Sequence, residues 1–260
     1  ITKDFKKIEK HLVTPFNAKA MALFPENING KMWAILTADT DKPPAKIALA
    51  SFEKEADIWS PSYWNGWYKN IGKYTLPLQR NSQDHIEVGA PPVKTKDGWL
   101  VIYSYIRNYF SGQRLFGIEA VLLDLKNPLK IIGRTEMPLL TPEEYYEKIG
   151  IVPNVVFPSG VLIKKDQLQI YYGAADTVCA LASVKLPILL DYLSGNDSLR
   201  IKLSRWKNNP ILAPRKEYAW QAKAVFNAAA LRLGGKVHLV FRAMADDNTS
   251  VFGYAASSDG

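Results

Sequence analysis

Four segments of this chain repeat one design at a nearly constant interval, and that regularity limits the fold more than any other feature. They begin at Gly30 (GKMWAILTADTDKPPAKIALASF), Gly98 (GWLVIYSYIRNYFSGQRLFGIEAVLLDL), Asp166 (DQLQIYYGAADTVCALASV) and Gly235 (GKVHLVFRAMADDNTSVFGYAASSDG). The starts lie 68, 68 and 69 residues apart. Each segment opens on a Gly or Asp turn and runs as an alternating apolar strand. It then breaks into a polar loop and returns as a second strand of small and apolar residues. Alternation with period two, rich in β-branched and aromatic residues, makes each unit a set of antiparallel strands. Self-similarity at fixed spacing signals a repeat architecture, and units of about four strands arranged radially form a β-propeller. Helix signals are few. TPEEYYEKIG reads as a short helix with Thr141 as N-cap, Pro142 at its first position and Gly150 as its stop. KLPILLDYL, Lys185 to Leu193, reads as a second.

A propeller gathers the ends of its inner strands and the loops that follow around one funnel. The repeated position after AILTADTD, VIYSYIRN, IYYGAAD and LVFRAMADD is therefore where a site is expected. Asp39 or Asp41, Asp176, and Asp246 or Asp247 would reach one rim. An aspartate after a strand is also an ordinary turn residue, so the set weighs more than any member.

Other signals exclude more than they assign. The net charge is +8, but the lysines are scattered and no basic stripe interleaves with aromatics, so nucleic acid is not an expected partner. The single cysteine, Cys179, lies in an apolar run and reads as a small buried hydrophobe. His11, His85 and His238 are far apart, with no CxxC or HExxH, so neither a metal nor a cofactor is expected. No apolar run reaches membrane-spanning length. The location is left open, with the cytoplasm preferred. The chain opens on Ile1 and closes on SSDG, the ends expected of a piece of a longer protein. LSGNDS, Ser194 to Ser198, reads as the one linker.

Several of these stretches resemble glycoside hydrolase family 130, the mannoside phosphorylases and mannosidases. NNPILAP, VFNAAALRLGGKVHLVFRAMADDNTSVFGYAASSDG looks like the opening blade of that family. ALFPENINGKMW, GAPPVKTKDGWLVIY, LLDLKNPLKIIGRT, PNVVFPSG and IYYGAADT look like its later blades. The resemblance implies an all-β, five-bladed β-propeller, incomplete here with about four blades, acting on β-mannoside oligosaccharides by inverting single displacement. The order is displaced: residues 1–195 correspond to the later blades, and residues 196–260 to a linker and the opening blade of a second or permuted module. The family's EDPR stretch, whose aspartate is its general acid, does not occur. A chain spanning the junction of two tandem modules accounts for both facts, with association into a homo-oligomer as a further possibility because a missing blade leaves an apolar flank.

By the resemblance, Asn227, Arg242, Asp246, Asp247 and Asp176 match positions that grip mannose, and Tyr103 and Tyr172 are candidate ring contacts. Some positions depart from the family: Ser250-Val251 stands for Ser-Arg, Phe226-Asn227-Ala228 for FNPAA and Trp220-Gln221 for WE. A noncatalytic carbohydrate-binding or structural propeller is therefore a third alternative. Phosphorylases carry an Arg after the strand equivalent to MWAIL and a His in YHG. Thr37 to Asp39 and Tyr103 to Tyr105 occupy those places. Two carboxylates appear where small residues are usual, Glu87 and Glu119. Fewer cations and more carboxylates disfavour phosphate and favour a base that activates water. Hydrolysis is thus the expectation, with Glu87 as first-choice base and Glu119 as second. An ion pair of Glu119 with Arg107 or Arg114 is the competing role. Phosphorolysis, with inorganic phosphate held by Lys94 or Arg80, is the alternative.

Overall fold

The computed structural model describes residue 7, residues 9–196 and residues 200–258. It is built from four separate, open, antiparallel sheets that follow one another along the chain. Sheet 1 comprises β1 (Ala18–Leu23), β2 (Met32–Ala38) and β3 (Lys46–Phe52), and is followed by helix α1 (Pro61–Lys69). Sheet 2 comprises β4 (His85–Val88), β5 (Val93–Lys94), β6 (Trp99–Arg107), β7 (Leu115–Leu123) and β8 (Ile131–Arg134). Helix α2 (Tyr145–Lys148) leads into sheet 3, made of β9 (Val156–Lys164), β10 (Gln167–Ala174), β11 (Val178–Lys185) and, after helix α3 (Leu186–Leu193), β12 (Ser204–Arg205). Sheet 4 holds β13 (Ala224–Leu233), β14 (Lys236–Met244) and β15 (Ser250–Ser257).

The repeat acquires its physical meaning here. Gly30, Gly98, Asp166 and Gly235 each stand just before the middle strand of a sheet. Asn29-Gly30 and Gly234-Gly235 both have positive φ at the two turn positions, the backbone of the tight hairpin turn that suits twisted strands. The sheets stack in chain order through alternating faces. Ile35, Ile47 and Leu49 of sheet 1 meet Val88, Val101 and Tyr103 of sheet 2. Leu100, Ile102 and Ala120 of sheet 2 meet Leu168, Ile170 and Tyr172 of sheet 3. Tyr171, Cys179 and Leu181 of sheet 3 meet Val225, Leu239 and Phe241 of sheet 4. Period-two alternation thus gives each inner sheet two buried faces.

The two ends of the stack differ. The outer face of sheet 1 (Leu36, Ala48, Phe52) is covered by Trp64 and Trp67 of α1. That helix starts at Ser60, whose Oγ accepts from the Tyr63 N–H, with Pro61 next, a start signal that periodicity alone overlooks. The outer face of sheet 4 is bare: Leu231, Val240, Phe252 and Tyr254 are exposed, Phe252 at 89%.

Two helix expectations come out differently. Leu186–Leu193 forms with Pro187 in its first turn, as expected. The TPEEYYEKIG helix is only Tyr145–Lys148 and is capped at Glu144, not Thr141. The Thr141 carbonyl is instead bound by Arg205 Nη2 at 2.7 Å, which draws that residue out of the helix. Of the Ser194–Ser198 linker, residues 197–198 lie outside the described residues.

Candidate functional site

The loop after each middle strand lies at one end of the stack. Its first residues turn into the left-handed region in the first three sheets: Asp39, Asn108, and Ala175 with Asp176. Three of the innermost strands carry an irregularity. Register shifts interrupt β1 between Lys19 and Ala22, β13 between Phe226 and Ala229, and the β9–β10 pairing at Tyr171/Tyr172. Ala20 and Asn227 have positive φ at the first two. A bulge re-aims the side chains beside it, and here it turns Lys19 and Asn227 away from plain alternation.

Glu87 of β4 is buried, only 7% exposed. Lys19 Nζ lies 2.8 Å from its Oε2, and His85 Nε2 lies 3.0 Å from its Oε1. His85 Nδ1 accepts from the Ala45 N–H at 3.1 Å, so the ring proton is on Nε2 and is donated to Glu87. The His85 ring is stacked on Tyr109 with centroids 4.0 Å apart. Burial pushes the Glu87 carboxyl up, but the bonds from His85 and Lys19 together outweigh it and hold it below the ordinary range.

Asp176 faces this pair from sheet 3. Burial raises its carboxyl above the ordinary value; Arg242 and Lys19 pull it down and Glu87 pushes it up. Among the described residues its oxygens accept no hydrogen bond. Arg242 of β14 donates from Nε to Ser250 Oγ at 3.0 Å and lies over the Phe226 ring. Asn227 abuts sheet 3 where a Cβ on Gly173 would stand 2.7 Å from its Oδ1. Lys19, Glu87, Asp176, Asn227 and Arg242 thus come to one region from all four sheets: two carboxylates, two cations and an amide, with one acceptor pair unclaimed.

The other candidates lie elsewhere. Asp246 and Asp247 stand on the outer turn of sheet 4, where Asp246 pairs with Lys216 at 3.4 Å and Asp247 accepts from the Thr249 N–H. Glu119 is fully buried between sheets 1 and 2. Its ion-pair partner is neither Arg107 nor Arg114 but Arg80, which grips it with Nη1–Oε2 at 2.9 Å and Nη2–Oε1 at 2.6 Å. Tyr103 donates to the same Oε2 at 2.9 Å. Tyr172 is likewise buried and donates to Glu147 Oε1 at 2.8 Å. Arg205 forks onto that carboxylate through Nε and Nη2, both at 2.8 Å. Two Arg–Glu–Tyr clusters therefore occupy successive inter-sheet seams. Lys94 pairs with Glu26 across the surface. Of the two positions where phosphorylases carry cations, Thr37 accepts from the Val88 N–H at 2.8 Å and Ser104 Oγ is buried without a partner. Lys19 and His85 escaped the sequence reasoning; the available signal was the carboxylate two residues from His85.

The stacked sheets thus bring carboxylates, an amide and cations together, the kind of polar set that can hold a sugar's hydroxyls. Residues 1–195 match the family described as beta-1,4-mannooligosaccharide phosphorylase. The chain belongs to that family, glycoside hydrolase family 130. A 1,2-beta-oligomannan phosphorylase from Thermoanaerobacter sp. (strain X514) is 36% identical, over 65% of this chain and 51% of its own. A beta-1,4-mannooligosaccharide phosphorylase from Ruminococcus albus is 30% identical, over 76% of this chain and 57% of its own. The solved beta-1,2-mannobiose phosphorylase from Listeria innocua, in complex with beta-1,2-mannobiose, superimposes with a TM-score of 0.60 at 31% identity, covering 74% of this chain and 51% of that one. A thermostable family-43 glycoside hydrolase shares the fold over 92% of this chain and 71% of its own, with a TM-score of 0.61 at 15% identity. The chain spans about half the length of the curated relatives it matches.

Proposed function

We propose that the protein to which this chain belongs cleaves β-mannosidic bonds by phosphorolysis. The observation that carries this over the expected hydrolysis is the setting of Glu87. Hydrolysis needs a base with an oxygen free to take a proton from water, and both Glu87 oxygens are already engaged, Oε2 by Lys19 at 2.8 Å and Oε1 by His85 at 3.0 Å. A phosphate dianion needs no deprotonation to attack. The three mannoside phosphorylases named above support the same choice. In the reaction the phosphate oxygen bonds to the anomeric carbon as the glycosidic bond breaks, and the departing oxygen takes a proton from a general acid. The EDPR stretch that carries this acid in the family does not occur here, so the acid comes from a further blade of a five-bladed ring.

In this proposal Asp176, Asn227 and Arg242 hold mannose hydroxyls, which need paired donors and acceptors. Lys19 and Arg242 supply positive charge, and Asp246 and Asp247, on the outer turn of sheet 4, take no part in holding this sugar. Glu119, Tyr103 and Tyr172 support the fold. Residues 1–195 are the later blades, and residues 196–260 the linker and opening blade of a second or permuted module.

The test is to incubate this chain and its full reading frame with β-linked manno-oligosaccharides, with and without phosphate. Mannose 1-phosphate formed only with phosphate supports the proposal. Free mannose formed independently of phosphate returns Glu87 to the role of base and refutes it.

A further inference from the structure

The turn that carries Asp176 is latched by the loop that follows α2. The Ile151 N–H donates to Thr177 Oγ1 at 3.0 Å and the Val152 N–H to the Ala175 carbonyl at 3.1 Å, so the loop is bonded to both chain neighbours of Asp176. Gly150 lies so close that a Cβ there would stand 2.4 Å from Thr177 Oγ1 and 2.5 Å from the Ala175 oxygen. Yet the large side chains of this segment are in water. Tyr145, Ile149, Ile151 and Val152 are all exposed, Ile149 at 57%.

The Glu87 side of the site is edged in the same way. Tyr109 stacks on His85 with centroids 4.0 Å apart, and the Arg114 guanidinium also lies over its ring. Phe110 stands edge-on to Tyr109 at 5.5 Å and is itself half exposed. Both carboxylates of the site are therefore bordered by exposed hydrocarbon. Apolar side chains gathered on one surface mark a place where something apolar binds.

The position against Asp176 decides the occupant. The run Ile149-Gly150-Ile151-Val152-Pro153 has no side-chain donor or acceptor. Its N–H groups at Ile149, Ile151 and Val152 are already committed. A sugar ring resting there would find few partners for its hydroxyls. Asn227 and Arg242, by contrast, bring polar groups to the same region from sheet 4. A ligand seated on Asp176 thus meets hydrogen-bonding groups on one side and hydrocarbon on the other.

We propose that this ligand is amphiphilic: a β-mannoside whose aglycone, the alcohol beyond the glycosidic bond, is an aliphatic or aromatic body resting on Ile149, Ile151 and Val152. The proposal rests on the function given above and narrows it: the preferred leaving group is an apolar alcohol. The three side chains are its specificity-determining residues.

The experiment is calorimetric titration of this chain with methyl, butyl and hexyl β-mannoside, and with hexyl β-glucoside. A fully buried methylene changes affinity about fourfold. On an open rim about half of that free energy is expected, so the hexyl mannoside should bind about tenfold or more tighter than the methyl one. The Ile149→Asn/Ile151→Asn/Val152→Asn variant, which keeps the backbone bonds of the loop, should flatten the series. Asp176→Asn should weaken every mannoside alike. Equal affinity along the wild-type series, or a gain that survives the triple variant, overturns the apolar aglycone. Self-association of the chain that the triple variant abolishes assigns the rim to a second copy and overturns it as well. Hexyl glucoside binding that depends on the same three residues, without binding of any mannoside, keeps the apolar rim and overturns the mannoside reading. No binding of any glycoside overturns both.

Discussion

Replacing Glu119 with glutamine removes the charge from a carboxylate that is fully buried and held by Arg80 through two hydrogen bonds, with Tyr103 on one of the same oxygens. The amide keeps one oxygen and turns an NH2 group toward donors. Breaking one side of a buried ion pair costs about 3–5 kcal/mol, because the remaining charge stays desolvated and unpaired. The Arg80 side chain is 21% exposed, so water relieves part of this penalty and about 3 kcal/mol is the expected cost. With a urea slope of about 3 kcal/mol/M for a chain of this size, the unfolding midpoint falls by about 1 M. The assay is urea unfolding followed by far-ultraviolet circular dichroism. Glu53→Gln, which removes the exposed partner of Lys31, serves as the control and should shift the midpoint by less than about 0.3 M. A Glu119→Gln shift no larger than the control refutes the view of Glu119 as a buried strut. Loss of turnover in the full reading frame, without loss of stability, restores it as a catalytic carboxylate.

Four further outcomes follow from named contacts. Glu87 has a lowered carboxyl pKa when folded, so the stability from its pairing is present above about pH 4.3, its ordinary value, and is lost as pH falls through the folded value. Unfolding curves of wild type and Lys19→Gln should accordingly differ by about 1 kcal/mol at pH 7 and converge in acid; a difference that widens in acid contradicts the sign. Gly133→Ala places a Cβ 1.7 Å from the Leu193 carbonyl oxygen, which is backbone, and should cost about 3 kcal/mol in thermal unfolding, whereas Gly30→Ala, strained only by its φ of +79°, should cost about 1 kcal/mol. Gly173→Ala crowds the Asn227 side chain at 2.7 Å; a small stability change with about tenfold weaker mannobiose binding is expected by calorimetry, and unchanged binding would separate Asn227 from the site. Burial raises the Asp176 carboxyl, so sugar binding through its ionised form should fade on acidification at a pH above the ordinary carboxylate range, as followed by carboxyl carbon chemical shifts.

The repeat was legible because hairpin turns and alternation are local. Gly30, Gly98, Asp166 and Gly235 all mark the entry to a middle strand, and Asp39 and Asp176 stand just beyond the exits of two of them. What distinguishes the sites was not local. Glu119, in the middle of β7, and Asp176, just past the end of β10, both read as single acidic residues in apolar surroundings, yet Arg80 arrives from 39 residues away to claim the first, while the second accepts no hydrogen bond among the described residues. Lys19 meets Glu87 across the sheet 1–sheet 2 seam, beside a register shift in β1 that no sequence pattern announces. Helix α1 was missed because its burial depends on two tryptophans meeting a sheet face formed earlier in the chain.

Sheets 2 and 3 are each clamped by two packed faces, but sheet 4 is held by one, and its other face carries Phe252 and Tyr254 in water. Sheet 4 carries Asn227 and Arg242, while Glu87 and Asp176 belong to sheets 2 and 3. A ligand that touches both parts therefore binds across the sheet 3–sheet 4 seam and stabilises it by its own binding free energy. In the five-bladed ring proposed above, the bare face is the one against which a further blade packs.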